Sequence, residues 1–353
     1  MLALRGGRVF TATGWTTDDL LVDGSHLVGS GTADEVLDVT GCVVAPGLVD
    51  LHVHAAGGAA GQGPAADLDS MARALVRGGV TSFLATTVSA PLAELRRLVR
   101  TPPPASGARC LGVHLEGPWL SPDAAGAQPR EHLLAVDVDA ALDLVAAGPV
   151  RVVTLAPELP AALDLVRELV AGGVRVSLGH STATYLQAVA AVSAGATGIT
   201  HCFNAMSQLT SREPGLVGAA LTEPGLVVEV IADGVHVHPA SVGALHAARG
   251  ATGVALVSDG VDGCAGPDVL RRDADVLRLA DGTLAGSALS LADAVRHVVS
   301  WGIPLEDALA MASTTPAGTL GLDVALRPGN RADIVVLDPD LRVRHVLVAG
   351  VRQ

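Results

Sequence analysis

Histidines and carboxylates are the residues in this chain whose types and spacing could do chemistry. His52 and His54 stand two apart in Pro46-Gly47-Leu48-Val49-Asp50-Leu51-His52-Val53-His54. On an extended backbone that spacing points both imidazoles to one side, where both could bind one metal ion. Two polar residues at a strand end would look the same, so the pair alone decides little. Glu116, His180, His201 and Asp259 add weight, because each ends a later apolar run. Singly they have ordinary explanations. Glu116 could make a turn with Gly117-Pro118, His180 could enter a helix, and Asp259 could form a turn with Gly260. Six such residues at ends of one polarity are hard to explain that way. Imidazole nitrogen and carboxylate oxygen are the ligands of a hydrolytic zinc ion, which takes three protein ligands plus water.

The elements that must position these side chains follow from periodicity. Apolar strand-like runs recur at 48–53, 81–88, 110–115, 150–155, 175–178, 198–201, 226–231 and 254–257. Helical periodicity fills most gaps, at 67–77, 92–99, 140–147, 161–171, 184–194 and 239–249, and two more helices follow at 289–301 and 305–313. Gly78-Gly79 and Gly172-Gly173 read as helix C-terminal caps. Eight strands alternating with helices predict an α/β fold, a TIM-like (β/α)8 barrel over residues 46–324. No Gly-x-Gly-x-x-Gly turn follows the first run, which disfavours a doubly wound open sheet. In such a barrel functional side chains project from the C-terminal strand ends, so four imidazoles and two carboxylates would ring one mouth. The glycine- and alanine-rich stretch 55–66 reads as a loop over that mouth.

Residues 1–45 and 325–353 alternate short apolar runs with turns, the pattern of antiparallel β structure. Neither end can bury a core by itself. The expectation is one small β-sandwich domain built from both termini.

Composition agrees with buried strands covered by helices. Hydrophobic residues make up 49% of the 353 and aromatics only 2%, so Ala, Val and Leu must form the core. A net charge of −13 with no basic cluster excludes a nucleic-acid-tracking surface. Cys42, Cys110, Cys202 and Cys264 form no paired motif, and the first residues lack a signal-peptide pattern. No apolar run reaches about 18 residues, so no membrane span is expected. A reducing cytoplasm is the expected location.

Beyond its residue chemistry, the chain resembles a known family. Asp50-Leu51-His52-Val53-His54, His114-Leu115-Glu116-Gly117-Pro118-Trp119, Leu178-Gly179-His180-Ser181, His201-Cys202-Phe203-Asn204-Ala205-Met206 and Ser258-Asp259-Gly260 are similar to motifs of the N-acetylglucosamine-6-phosphate deacetylases, in the amidohydrolase superfamily. The resemblance runs along nearly the whole chain. It implies that Glu116, His180 and His201 bind a principal divalent metal, most simply zinc, and that Asp259 is general base and acid. Members that keep His-x-His can hold a second ion, so His52 and His54 imply one or two metals, with Glu116 bridging. It also implies that Asn204, Ala205, Arg212 and His236 contact an amino-sugar phosphate, that Ala288 lies near the acetyl group, and that the protein is a homodimer. The implied chemistry is physically coherent. A metal ion lowers the pKa of water from about 15.7 toward 7. A neighbouring carboxylate can take the proton and return it to the departing amine.

One position departs from the pattern. Where the family usually carries a histidine held to bond the acetyl carbonyl, this chain has Gln128. Glutamine donates through a neutral amide and cannot supply a cationic donor. The departure implies weaker oxyanion stabilisation or a different sugar or acyl group. Competing readings are therefore a deacetylase of N-acetylgalactosamine 6-phosphate or another N-acyl sugar, and a catalytically silent sugar-phosphate-binding regulator. The silent reading requires a lost ligand or base, yet Glu116, His180, His201 and Asp259 are all present. Cyclic-amide hydrolases of the superfamily use a bridging lysine after the fourth strand, and this chain has no lysine.

Overall fold

The structure is a computed structural model, and it describes residues 1–60, 67–261, 271–273 and 276–353. Its largest sheet contains eight strands that pair parallel in chain order. They are β1 (Leu48–Ala56), β2 (Val80–Thr87), β3 (Arg109–Glu116), β4 (Val150–Leu155), β5 (Arg175–Leu178), β6 (Gly198–Ile199), β7 (Val227–Ile231) and β8 (Val254–Val257). Four of them are buried along their whole length and the others along most of it, as parallel strands with both faces covered must be. The sheet is curled. Beyond β8 the chain continues through Gly260 and Val261, which pair parallel with Val53 and Ala55 of β1.

The covering helices start and stop where side-chain chemistry dictates. Asp67 accepts from the Ser70 amide ahead of Leu68–Arg77, and Thr184 with Gln187 forms a capping box ahead of Tyr185–Ser193. Gly78 and Gly172 are the C-caps expected from the sequence. Two helices were not legible in advance, Gly215–Thr222 and the short Thr314–Thr319. Gly215–Thr222 is buried along residues 215–220, so it shows no amphipathic stripe. Several expected boundaries also move: β1 runs on to Ala56, β6 stops at Ile199, and Val138–Val145 starts two residues before the predicted helix.

Two apolar layers support the curled sheet. Leu68–Arg77, Ala162–Ala171, Leu291–Ser300 and their neighbours pack Met71, Leu165, Val295 and similar residues against its outer face. Inside, Val49, Leu51, Leu84, Val152, Ile231, Ala255 and Val257 form a plug, sealed by Ala317 and Leu320 of the final helical segment. A plug of this kind gives the polar residues at the strand ends a dry floor.

The chain termini meet in two further sheets. Val43–Pro46 pairs antiparallel with Ile334–Leu337 and parallel with Arg8–Thr11, so one six-stranded sheet takes strands from both ends. A four-stranded sheet comprises Leu2–Arg5, Leu20–Asp23, His26–Val28 and Glu35–Asp38. Leu4, Val9, Val22, Leu27, Val44, Ile334, Val336 and Leu347 form the core between them.

After β1 the chain does not run directly into open loop: Ala59–Ala60 turns back to pair with Ala55 and Ala56. The rest of the glycine-rich stretch, and Cys264, lie outside the described residues. Cys42 and Cys202 are buried free thiols and Cys110 is half-buried. No helix among the described residues is long and apolar enough to cross a membrane.

A candidate metal centre at the strand ends

Local backbone geometry sets the ligands. His180, His201 and Asp259 leave their strands with φ of 45°, 29° and 47°. Non-glycine residues rarely adopt that left-handed region, which costs of order 1–3 kcal/mol each where it occurs. The turns are secured from outside. The Ser181 amide donates to the Ala205 carbonyl, Cys202 to the Glu229 carbonyl, and Asp259 to the His52 carbonyl, at 3.1, 2.7 and 2.9 Å. Gly126, at φ 59°, brings its loop so close that a β-carbon there would lie 3.3 Å from His180 Cε1.

Six side chains then converge, all nearly inaccessible. His52, His54, Glu116, His180, His201 and Asp259 are 0%, 5%, 2%, 5%, 4% and 9% exposed. They form two groups, Glu116–His180–His201 and His52–His54–Asp259, in each of which the ligand atoms lie within 4.8 Å of one another. Glu116 faces both. Its Oε1 is 3.1 Å from His180 Nε2 and 3.0 Å from His201 Nε2, while its Oε2 is 3.4 Å from His54 Nε2. Asp259 Oδ1 stands 3.5 Å from His52 Nε2 and 3.4 Å from His54 Nε2.

Charge in this cluster is one-sided without a cation. Burial pushes the His52 imidazolium down, yet Glu116, Glu229 and Asp259 outweigh it and hold its pKa well above the usual histidine value. Burial likewise disfavours the Glu116 and Asp259 carboxylates, but the surrounding imidazoles hold both well below the carboxylate range. His180 shows what the geometry asks for. Its Nδ1 donates to the Ala124 carbonyl at 3.0 Å, which turns Nε2 toward Glu116 Oε1 at 3.1 Å and His201 Nε2 at 3.0 Å. Converging lone pairs and carboxylate oxygens are the donor set of a divalent metal, so the residues fit such an ion.

Residues beneath the ligands hold them in place. Asp50 accepts from Ser258 Oγ at 2.6 Å and from the Ser258 and His52 amides, both at 3.3 Å, tying β1 to the turn that carries Asp259. His114 bonds the Leu51 carbonyl and Thr154, and its ring packs edge-on to His52 at 4.8 Å. Burial, reinforced by His52, lowers its pKa to about 4, so it is neutral at physiological pH. Sequence reasoning quoted Asp50 and His114 inside motifs but gave them no role. It missed Glu229, whose carboxylate lies 3.3 Å from His52 Nδ1. The signal was one acid within the apolar run Val-Val-Glu-Val-Ile.

The structure brings Gln128 into the centre but not every expected substrate residue. Gln128 Oε1 accepts from the Ser89 amide at 2.8 Å, which turns Nε2 toward Glu116 Oε2 at 2.5 Å. Asn204 is half-buried and donates to the His201 and Cys202 carbonyls, and Ala205 follows it at φ 47°. His236 is not the solvated histidine of an ordinary loop: its side chain is 4% exposed and its Nδ1 bonds Asp233 at 2.5 Å. Arg212 is exposed and forms no ion pair with another described residue, Glu213 included. Ala288 lines a cleft with Val53, Ala55, Ala74 and Leu291, on the helix side of β1. His238 caps the helix Pro239–Arg249, as a surface residue there should.

A ring of histidines and acids on a curled parallel sheet defines a metal-dependent hydrolase, and residues 43–352 match the amidohydrolase family model. The chain belongs to the amidohydrolase family. Among its relatives, the N-acetylgalactosamine-6-phosphate deacetylase of Escherichia coli O157:H7 is 39% identical, over 98% of each chain. The N-acetylglucosamine-6-phosphate deacetylase of Vibrio furnissii is 38% identical, over 86% of this chain and 81% of its own. The crystal structure of N-acetyl-D-glucosamine-6-phosphate deacetylase from Mycobacterium smegmatis superimposes with a TM-score of 0.89 at 34% identity, covering 99% of both chains.

Proposed function

We propose that the protein hydrolyses N-acetyl-D-glucosamine 6-phosphate to D-glucosamine 6-phosphate and acetate. The observation that carries this is the convergence of both ligand groups on Glu116, with Asp259 beside them. On this reading Glu116, His180 and His201 would hold one divalent ion, zinc by donor chemistry, and His52, His54 and Asp259, beside Glu116, would hold a second. Ions held there supply Lewis acidity, lowering the pKa of water toward neutrality and polarising an amide carbonyl. Asp259 accepts the proton of the attacking water. It then delivers that proton to the amine nitrogen as the carbon–nitrogen bond breaks, so the products are acetate and a free amino sugar. Gln128 holds its amide donor toward the same centre, where it can bond the acyl oxygen.

Substrate recognition is assigned by chemistry. Arg212, unpaired and exposed, grips the phosphate through its planar fork, and His236, oriented by Asp233, offers Nε2 to the sugar phosphate. Asn204 and Ala205 are assigned to the sugar phosphate, and Ala288, which lies in a cleft on the helix side of β1, is assigned to the acyl side by resemblance alone. An exposed Arg212 also suits a phosphate site completed by a second copy, so we assign a homodimer in the cytoplasm. The pairing of Gly260 and Val261 with β1 supports a closed (β/α)8 barrel over residues 46–324. The shared six-stranded sheet supports a separate β domain from 1–45 and 325–353.

The 39% identical relative named for the galactose epimer favours a second reading, in which N-acetylgalactosamine 6-phosphate is the substrate. Acetate release separates the two. It is to be measured on both phosphorylated epimers and on unphosphorylated N-acetylglucosamine, with metal content determined on the same sample. Turnover preferring the glucose epimer, with phosphate required, is the expected result. Preference for the galactose epimer moves the assignment to the second reading. Bound metal with no turnover of any of the three overturns both.

A further inference from the structure

Glu229 is a buried charge that the proposed chemistry does not use. It lies in the middle of β7, where Val228 and Val230 pack into the helix-facing core and Ile231 into the inner plug. Alternation puts Glu229 on the inner face with Ile231, directly beneath the ligands. Its side chain is 0% exposed. A fully buried carboxylate is expensive unless something specific uses it.

Two partners are within range, and they are unequal. Arg175 Nη1 is 3.9 Å from Glu229 Oε1, beyond hydrogen-bond reach, and both atoms are buried without a hydrogen-bond partner among the described residues. Arg175 is anchored elsewhere, donating through Nη2 to the Thr197 and Val227 carbonyls. His52 Nδ1, at 3.3 Å, is the carboxylate's one hydrogen bond among the described residues. A carboxylate can only accept, so His52 must donate from Nδ1, which leaves Nε2 as the nitrogen that an incoming ion takes in place of a proton. That Nε2 faces His54 Nε2 at 3.2 Å, Glu116 Oε1 at 3.4 Å and Asp259 Oδ1 at 3.5 Å. The other imidazole of the pair has no such support among the described residues, where His54 Nδ1 is buried without a hydrogen-bond partner.

We propose that Glu229 is a positioning residue for the second ion. It fixes the tautomer and orientation of His52, so that occupancy of the His52–His54–Asp259 half depends on a side chain one layer below the ligands. The proposal rests on the two-ion reading given above. Carboxylate partners of this kind typically alter metal affinity by about 10–100-fold when removed.

Two substitutions separate this role from that of a structural ion pair. Glu229→Gln keeps an acceptor within reach of His52 Nδ1 but loses the charge facing Arg175. Glu229→Asp keeps the charge and withdraws the acceptor by one methylene. Co²⁺ binding to the metal-stripped full chain, by equilibrium dialysis and calorimetry, gives stoichiometry and both affinities, and melting curves report folding. Two ions are expected for the unaltered protein and for Glu229→Gln. Glu229→Asp should bind the second ion about 10–100-fold more weakly, with the first unchanged. The opposite pattern, with Gln losing the ion and Asp retaining it, overturns the proposal in favour of the ion pair. Unchanged affinities in both variants also overturn it. One ion in the unaltered protein, with acetate still released, overturns this inference and leaves the hydrolase reading standing. No ion and no turnover overturn both.

Discussion

Replacing Asp259 by asparagine removes its basicity while keeping its size and its backbone. The backbone at Asp259 sits at φ 47°, donates to the His52 carbonyl and accepts from the Ser287 amide, both at 2.9 Å. Asparagine has the same volume and tolerates the left-handed region as well as aspartate does, so these bonds survive. Its amide oxygen can still face His52 and His54, but it has no basicity. General acid–base catalysis contributes typically 10²–10⁴-fold. At 1.36 kcal/mol per tenfold, Asp259→Asn should therefore lose about 3–5 kcal/mol of transition-state stabilisation. The loss should fall on kcat, with KM changed little, because the phosphate-binding residues are untouched. Asp259→Ala adds a backbone cost of roughly 1–2 kcal/mol, since alanine has no polar side chain to support positive φ. It should melt earlier, whereas the asparagine variant should not. The assay is acetate release under saturating substrate, with metal content and melting temperature taken on the same preparations. An asparagine variant within tenfold of the unaltered rate, metals retained, would refute the assignment of the proton to Asp259.

Two further outcomes follow from the same geometry. Arg212→Met should raise KM for the phosphorylated sugar by about 10–100-fold, the value of a lost charge-assisted bond of 1.5–3 kcal/mol. Because Arg212 is exposed and unpaired, the melting temperature should hold; equal losses on phosphorylated and unphosphorylated sugars would sink the phosphate assignment. Asp233 offers a pH test. Burial raises its carboxyl, but the hydrogen bond and charge of His236 outweigh it and hold the pKa below 3.8. A depressed folded pKa contributes stability that is full above the unfolded value and is lost as pH falls below it. Asp233→Asn should therefore lower the melting temperature near pH 7 and flatten its decline in acid, and a parallel decline in both proteins would contradict this.

How much of this was legible in the sequence depends on what each residue answers to. The six converging side chains could be found because strand polarity places them, and one-residue alternation sends His52 and His54 the same way. The eight runs were visible for a similar reason, being nearly continuous apolar stretches with few competing patterns. Helix Gly215–Thr222 was hidden by being apolar all round, and the antiparallel strands Val276–Arg278 and Leu284–Ser287 by having no helix between them. The terminal strands were recognisable as β structure. Their direct pairing, Val43–Pro46 on Ile334–Leu337, is a contact between distant segments that no local pattern encodes. Glu229 was the avoidable miss. A lone acid inside a strand buried on both faces must find a partner, and the histidines at the strand ends are the donors nearest to it.

Gln128 shows why the site had to be seen and not only read. By residue type, glutamine in place of histidine looks like a weaker donor. In the structure its amide is fixed at both ends, by the Ser89 N–H on Oε1 and by Glu116 on Nε2. The amide therefore donates in one orientation and in one protonation state. An imidazole at that point would have to carry a proton to offer a cationic donor, beside four histidines already crowded around Glu116. A neutral amide adds no positive charge to that crowd and does not compete with it for the carboxylate's protons. The exchange gives up donor strength for a donor that works unchanged across the pH range in which histidines titrate. This chain's acid limb should then report Asp259 and the metal ligands, with no contribution from position 128.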